Sequence, residues 1–320
     1  MGMKIVVLDA YTENPGDLSW DWLANYGEFE IIERVDGGAD AVIEKIGDAE
    51  IAITNKAPIT KEVIDACPNL KYVSVLATGY NIVDVDYAKT KGIAVSNVPA
   101  YSTNCTSQYA IALMLEMTNQ VGLHNAAVHN GDWQNSRDFC FWKKPVIELA
   151  DKTMGIIGLG SIGQQTAKTA KAMGMNVVVY TPHPKVDWRG FVDFVSLDEL
   201  FGASDVIVLH CILNDKTKEI INAENIAKMK DGVLIVNNGR GGLINEADLA
   251  SALNSGKVGG AAVDVVSEEP IKADNPLLAA KNCIITPHIS WTSIECRQRI
   301  MEITENNIKS FIAGNPINTV

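Results

Sequence analysis

The chain has 320 residues, which suggests about two domains at roughly 100–200 residues each, and its net charge of −12 argues against nucleic acid as a partner. No apolar run approaches the ~18 residues of a membrane span, and the opening apolar run, 5–8, is too short for a signal peptide; a cytoplasmic protein with no membrane partner is expected. Six scattered cysteines without a Cys-x-x-Cys pair point to reduced thiols and to no metal site.

In chain order, β-rich runs at 5–8, 30–32, 51–54, 72–76 and 94–97 alternate with helix-like stretches at 18–26, 39–46, 61–66 and 84–91. This alternation implies a parallel sheet covered on both faces. Pro99 marks a break, after which a single long helix is expected from Thr103 to about Asn130, its apolar face including Ile111, Leu113, Met114, Leu115 and Met117. An aromatic segment follows, with Trp133, Phe139, Phe141 and Trp142. A second alternating series places strands at 154–157, 176–180, 206–209, 234–237, 260–265 and 283–286. The stretch 292–313 reads as one further helix, predicted to cross back to the first domain. The expected domains are therefore discontinuous: 1–100 with 290–320, and 101–289.

Residues 158–163 read Gly-Leu-Gly-Ser-Ile-Gly, after a strand and before a helix, the setting a dinucleotide fingerprint requires. Gly158 permits the tight turn, Gly160 lets a pyrophosphate approach the backbone, and Gly163 lets helix and strand pack closely. The alternative is a structural glycine turn without a ligand. A fold of this kind that prefers NAD places an acid at the end of the second strand. Here Thr181 stands there, followed by His183 and Lys185, so NAD is expected and NADP is left open.

Further along stand Asn-Asn-Gly-Arg-Gly-Gly at 237–242, Asp264 with Glu268-Glu-Pro at 268–270, and Pro-His-Ile-Ser-Trp at 287–291. With Val-Leu-Ala-Thr-Gly-Tyr-Asn at 75–81 and the Gly131 to Trp142 segment, they make the chain resemble the D-isomer-specific 2-hydroxyacid dehydrogenases over nearly its whole length, and most nearly the glycerate dehydrogenase and hydroxypyruvate reductase branch. The resemblance implies an α/β fold of two Rossmann-like parallel-sheet domains, one flavodoxin-like and substrate-binding, one dinucleotide-binding, with a cleft between them. It implies interconversion of D-glycerate and hydroxypyruvate, or reduction of glyoxylate, by hydride transfer.

By this resemblance His288 is the acid/base, Glu269 its acidic partner (with the adjacent Glu268 as alternative) and Arg240 the forked cation for carboxylate and carbonyl. These residue types suit the chemistry, because histidine exchanges protons near neutrality and arginine offers paired donors. The backbone at Ala77, Thr78 and Gly79 would hold the substrate carboxylate, and Trp291 reads as either a pocket wall or a packing residue. Ser161, Ile162, Cys211, Ile212, Thr217, Asn238, Gly239, Arg240 and Asp264 match cofactor-contact positions, Asp264 towards the nicotinamide carboxamide. Ile212 and Asn214 depart from the usual Pro and Thr. His210 reads as a strand-end residue lining the cofactor cleft, His124 and His129 as structural or solvent-facing, and Arg297 and Arg299 as the solvated face of the last helix. A homodimer is expected through the long helix and the aromatic segment. The alternatives are an NAD(H)-sensing regulatory protein of the same fold, and a formate or phosphite dehydrogenase.

Overall fold

A computed structural model describes residues 2–320. In chain order the elements are β1 (Met3–Val7), β2 (Gly27–Ile31), α1 (Gly38–Ile46), β3 (Ile51–Thr54), α2 (Lys61–Ala66), β4 (Tyr72–Val75), α3 (Val85–Thr90), β5 (Ala94–Ser96), α4 (Thr103–Asn119), α5 (Val121–His129), β6 (Thr153–Ile157), α6 (Ser161–Ala172), β7 (Asn176–Tyr180), β8 (Asp193–Phe194), α7 (Leu197–Ala203), β9 (Val206–Leu209), α8 (Ala223–Lys228), β10 (Val233–Asn237), α9 (Glu246–Ser255), β11 (Val258–Val263), β12 (Cys283–Ile285) and α10 (Ile294–Ile312). No described helix is long and apolar enough to cross a membrane.

The chain divides into two compact units. One runs to Tyr101 and is completed by Thr292–Val320; the other is Ser102–Trp291. Among the described residues the first holds a five-stranded parallel sheet in the order β2-β1-β3-β4-β5. The second holds a seven-stranded parallel sheet in the order β12-β11-β10-β9-β6-β7-β8. Two parallel-sheet α/β domains were expected, and two are found.

Central strands show why both faces are covered. Ile-Ala-Ile-Thr in β3, Val-Ile-Val-Leu in β9 and Val-Leu-Ile-Val-Asn in β10 are buried at every position. A strand apolar on both sides has to be roofed on both sides. In the second unit, Leu113, Met114 and Met117 of α4 with Ala167 and Ala170 of α6 cover one face, and Leu200, Leu249 and Leu253 cover the other. In the first unit α10 packs on the sheet, with Phe311 stacked on Tyr72 at 4.3 Å between ring centroids.

The structure corrects three expectations and adds one element. The helix expected over 103–130 is two helices, because Gln120 turns to left-handed backbone at φ 49° and the Glu116 carboxylate accepts the Gly122 amide at 3.2 Å, restarting the chain in a new direction. The helix-like stretch 18–26 forms only a short 3-10 segment, Asp21–Asn25. There the Asn14 side-chain oxygen accepts the Leu18 amide and the Ser19 hydroxyl accepts the Asp21 amide, local bonds that compete with a helix. A two-residue strand, β8, was not anticipated because its sequence is too short to carry a period. Arg297 and Arg299 are not a solvated face. Arg297 is 7% exposed and grips Asp17 through two bonds of 2.7 and 2.6 Å, and Arg299 Nε donates to the Tyr101 carbonyl at 2.9 Å.

Candidate active site

In the second unit the chain reverses strand order between β6 and β9, so the carboxyl ends of these strands open a crevice at the sheet's switch point, where α/β folds bind ligands. The glycine turn lies there. Gly158 has φ 98°, and a Cβ on it would stand 2.6 Å from the Cys211 nitrogen and the His210 carbonyl oxygen. A Cβ on Gly163 would stand 2.3 Å from the Gly158 carbonyl oxygen. These two glycines are required by packing. Gly160 differs: nothing lies within 4 Å of its Cβ position, and as N-cap of α6 it gives the helix no side-chain cap. The bare helix N-terminus, with Ser161 exposed beside it, is a cradle that a side chain at Gly160 would obstruct and that suits a pyrophosphate.

Neighbouring strand ends complete the crevice. Tyr180 ends β7, and its carbonyl accepts the Gly158 amide at 2.9 Å, which sets Thr181 beside the turn. His210 follows β9; its Nε2 shares a 2.9 Å hydrogen bond with Thr166 Oγ1, and burial pulls its pKa down to about 4. It is therefore neutral near pH 7 and bound to α6. Burial pushes the adjacent Cys211 thiol up to about 11. Ile212 is exposed, and its carbonyl accepts the Thr217 hydroxyl at 2.6 Å, while the Asn214 side chain takes the amides of Lys216 and Thr217. The departure at Asn214 thus builds a compact turn.

The residues expected to do chemistry gather at the ends of β10, β11 and β12. His288 Nδ1 and Glu269 Oε2 are 2.7 Å apart, and the other Glu269 oxygen accepts the Val266 amide at 3.3 Å. A carboxylate on Nδ1 fixes the proton there and turns Nε2 towards a reactant. Both side chains are about one-third exposed, at 34% and 37%, so the pair is reachable. Glu268 instead pairs with Lys272 at 2.6 Å, which leaves Glu269 as the partner of the histidine.

Arg240 is exposed and turns one guanidinium nitrogen onto the Gly239 carbonyl at 2.8 Å. Its loop is folded by Asn237, which donates to the Arg240 carbonyl at 2.9 Å and accepts the Gly239 amide at 3.1 Å. Asn238 is buried; its amide nitrogen donates to the Thr106 carbonyl at 2.8 Å and to Ser290 Oγ at 3.3 Å, while its Oδ1 has no partner among the described residues. A buried acceptor without a partner, next to the arginine loop, is a second point of fit for a bound group. Trp291 is half-buried and follows Ser290 in the chain.

Several supporting residues were missed at the sequence level. Asp264, matched only to the cofactor, is 1% exposed and accepts three hydrogen bonds from the histidine loop, from Thr286, Ile289 and Ser290. Glu246 accepts from the amide and the hydroxyl of Ser267 and from Asn275, pinning the loop that carries Glu269. A Cβ on Gly241 would fall 1.9 Å from the Val266 carbonyl oxygen, so only glycine lets the arginine loop press on the acid loop. Only the Asn245-Glu246 start of α9 hinted at these links, as a helix cap.

In the first unit, the loop after β4 has its carbonyls occupied. The Ala77 carbonyl accepts the Val98 amide at 3.0 Å, and the Thr78 carbonyl accepts Asn97 Nδ2 at 2.7 Å. The Thr78 hydroxyl donates to the Val98 carbonyl at 2.9 Å, and Gly79 follows in the same turn.

Residues 111–290 match a family model described as D-isomer specific 2-hydroxyacid dehydrogenase, NAD binding domain. The chain is 56% identical over 321 residues to a hydroxypyruvate reductase of Blautia hydrogenotrophica, with 99% of each chain covered. It is 36% identical over 322 residues to a glycerate dehydrogenase of Methylorubrum extorquens, covering 100% of this chain and 99% of that one. Among solved structures, the TT0316 protein of Thermus thermophilus matches with a TM-score of 0.87 at 30% identity, over 99% of this chain and 100% of that one.

Proposed function

The chain belongs to the D-isomer-specific 2-hydroxyacid dehydrogenases, NAD-dependent oxidoreductases acting on a CH–OH group, and on that premise we propose that it interconverts hydroxypyruvate and D-glycerate and also reduces glyoxylate. The observation that carries this reading is the 2.7 Å contact of His288 with Glu269, which leaves Nε2 as the reacting nitrogen.

NAD(H) would be held by the backbone at Gly158, Gly160, Ser161, Ile162 and Gly163, with Thr181, Cys211, Ile212, Thr217, Asn238, Gly239, Arg240 and Asp264 as further contacts. When bound, the nicotinamide supplies the hydride for C2 of the keto acid. His288 Nε2 gives its proton to the carbonyl oxygen, and the Glu269 carboxylate stabilises the imidazolium that precedes this transfer. Arg240 offers paired N–H donors to the carboxylate and the carbonyl. The amides of Ala77, Thr78 and Gly79 take the substrate carboxylate, and Trp291 lines the pocket. In oxidation of D-glycerate the proton runs back to His288.

We also assign the protein to the cytoplasm and to a homodimer. The six cysteines are unpaired, as suits a reducing compartment. On the second unit, Val121, Leu123, Val128, Trp133, Phe139, Trp142 and Val146 are exposed, apolar side chains that a second copy would cover. Light scattering at micromolar protein checks this, and a monomer ends it.

The activity is tested by absorbance at 340 nm with hydroxypyruvate, glyoxylate and pyruvate as substrates. Turnover of hydroxypyruvate that is lost in His288→Ala supports the assignment. NADH binding without turnover of any keto acid moves the protein to the dinucleotide sensors.

A further inference from the structure

The acid of the candidate pair stands on a loop with little packing of its own. Ser267, Glu268, Glu269 and Pro270 are exposed, and 266–275 forms neither strand nor helix. With few buried contacts, such a loop opens locally unless hydrogen bonds from a firmer element hold it.

The firmer element is α9. Its first turn carries two acids, Glu246 and Asp248, where the helix dipole favours negative charge, and Asn245 caps it by accepting the Asp248 amide at 3.1 Å. The two acids reach in different directions. Asp248 Oδ2 accepts the Ala223 amide at 2.8 Å, at the start of α8. Glu246 Oε1 accepts the Ser267 amide at 2.7 Å, and its Oε2 accepts the Ser267 hydroxyl at 2.8 Å and Asn275 Nδ2 at 3.0 Å. One carboxylate thus closes the loop at both ends, because Ser267 and Asn275 flank Glu269. Asn275 is itself fixed, its Oδ1 accepting the Leu277 amide at 3.0 Å.

The Val266–Ser267 peptide is where this grip meets the pair. Glu246 holds the Ser267 amide, Glu269 Oε1 accepts the Val266 amide at 3.3 Å, and Gly241 packs against the same peptide from the arginine loop. With its chain so fixed, Glu269 sets its other oxygen 2.7 Å from His288 Nδ1.

We propose that Glu246 is a positioning residue for the acid/base pair: through Ser267 and Asn275 it keeps the Glu269 carboxylate on His288. Bonds to a charged acceptor are stronger than neutral ones, so three of them hold a loop that packing does not. The helix keeps its Asn245 cap without Glu246, so loss of the carboxylate loosens the loop and spares α9. The proposal rests on the reading of His288 and Glu269 as that pair.

Steady-state reduction of hydroxypyruvate by the full chain tests it, as a double-mutant cycle with Glu269. Glu246→Ala should lower kcat about tenfold, with KM for hydroxypyruvate and NADH binding by fluorescence each within about twofold of the parent. Glu246→Gln keeps one acceptor for Ser267 and should recover part of the loss. In a Glu269→Gln background, Glu246→Ala should cost less than about twofold, because the carboxylate it positions is gone. Asp248→Ala removes an acid from the same helix turn and should leave kcat within about twofold of the parent. The alkaline limb of the kcat profile should move to lower pH in Glu246→Ala and stay in place in Asp248→Ala, since a carboxylate held on an imidazole favours its protonated form. Should Glu246→Ala fail to fold, Ser267→Ala, which removes the hydroxyl bond alone, carries the same cycle with a loss of about threefold. Losses equal with and without the Glu269 carboxylate overturn the proposal, as does an unchanged kcat in Glu246→Ala or a matching loss in Asp248→Ala. If turnover survives His288→Ala, the pair itself is misread and the proposal falls with it.

Discussion

His288 is tied to Asp264 through the backbone and through the loop on either side of it. The His288 amide donates to the Asp264 carbonyl at 2.8 Å, while the Asp264 carboxylate accepts from Thr286 Oγ1 at 2.6 Å, the Ile289 amide at 2.9 Å and the Ser290 amide at 2.8 Å. These bonds bracket a histidine held at φ 55°, left-handed backbone that costs a non-glycine residue of order 1–3 kcal/mol. Asp264→Asn turns an NH2 group towards donors and releases one side of the bracket. We expect kcat to fall about 10²-fold, as misplacement of a reacting group by about 1 Å does. Hydrogen exchange checks the cause: the amides of Ile289 and Ser290 should lose protection. Unchanged kcat with both amides still protected would show that Asp264 does not position the histidine.

The Glu269 contact makes a graded prediction. His288→Ala removes the proton donor and should lower kcat by about 10²–10⁴-fold. Glu269→Gln keeps a hydrogen-bonding group on Nδ1 but no charge to stabilise the imidazolium, so its loss should be smaller, about 10–100-fold. NADH binding, followed by fluorescence, should survive both changes. A Glu269→Gln enzyme as active as the parent would remove the carboxylate from the reaction.

Two glycines of one turn should fail in different ways. Gly158→Ala puts a Cβ 2.6 Å from backbone atoms at a φ of 98°, so a loss of stability of about 2–3 kcal/mol is expected before any ligand is added. Gly160→Ala meets nothing within 4 Å in the protein. It should melt within about 2 °C of the parent, roughly the shift of 0.5–1 kcal/mol in a domain of this size, yet bind NADH at least tenfold more weakly. Thermal melts with and without NADH separate the two cases. A Gly160→Ala protein stabilised by NADH as strongly as the parent would mean that the pyrophosphate does not pass there.

The two sheets were legible because their strands are apolar runs such as 51–54 and 206–209, which admit few other readings in an alternating chain. The glycine turn was legible because its constraint is local. What stayed hidden was set by distant partners. The charge of Arg297 suggests a solvated side chain, although the spacing to Ile300, Met301 and Ile308 puts it on the buried face of its helix, where Asp17, 280 residues earlier in the chain, pairs with it. Asp264 and Glu246 act partly through backbone amides, which carry no mark in a sequence, and partly through Thr286, Ser267 and Asn275, which lie 21 to 29 residues away. The break at Gln120 depends on one backbone angle and a carboxylate at Glu116, while the apolar residues of 103–119 continue their pattern up to it.

The same arginine leaves a second carboxyl without help. Glu13 is fully buried and neither of its oxygens has a hydrogen-bond partner among the described residues. Arg297 lies near, but four of its five N–H donors go to Asp17, to the Glu13 carbonyl and to the Thr292 carbonyl, and none reaches the Glu13 carboxyl. Burial therefore outweighs the attraction of Arg297, and the Glu13 carboxyl is pushed up from 4.5 to about 9. It is neutral in the folded protein at pH 7, whereas the unfolded chain has already lost the proton. Folding thus takes up a proton between these values, and stability must fall as pH rises, by about 1.4 kcal/mol per pH unit at most. The contribution is complete below about pH 4.5 and lost by about pH 9. Glu13→Gln keeps the shape and removes the titration. Urea unfolding at pH 6, 7.5 and 9 should then show the variant gaining on the parent at each step, and parallel stability curves would mean that Glu13 is ionised in the folded protein.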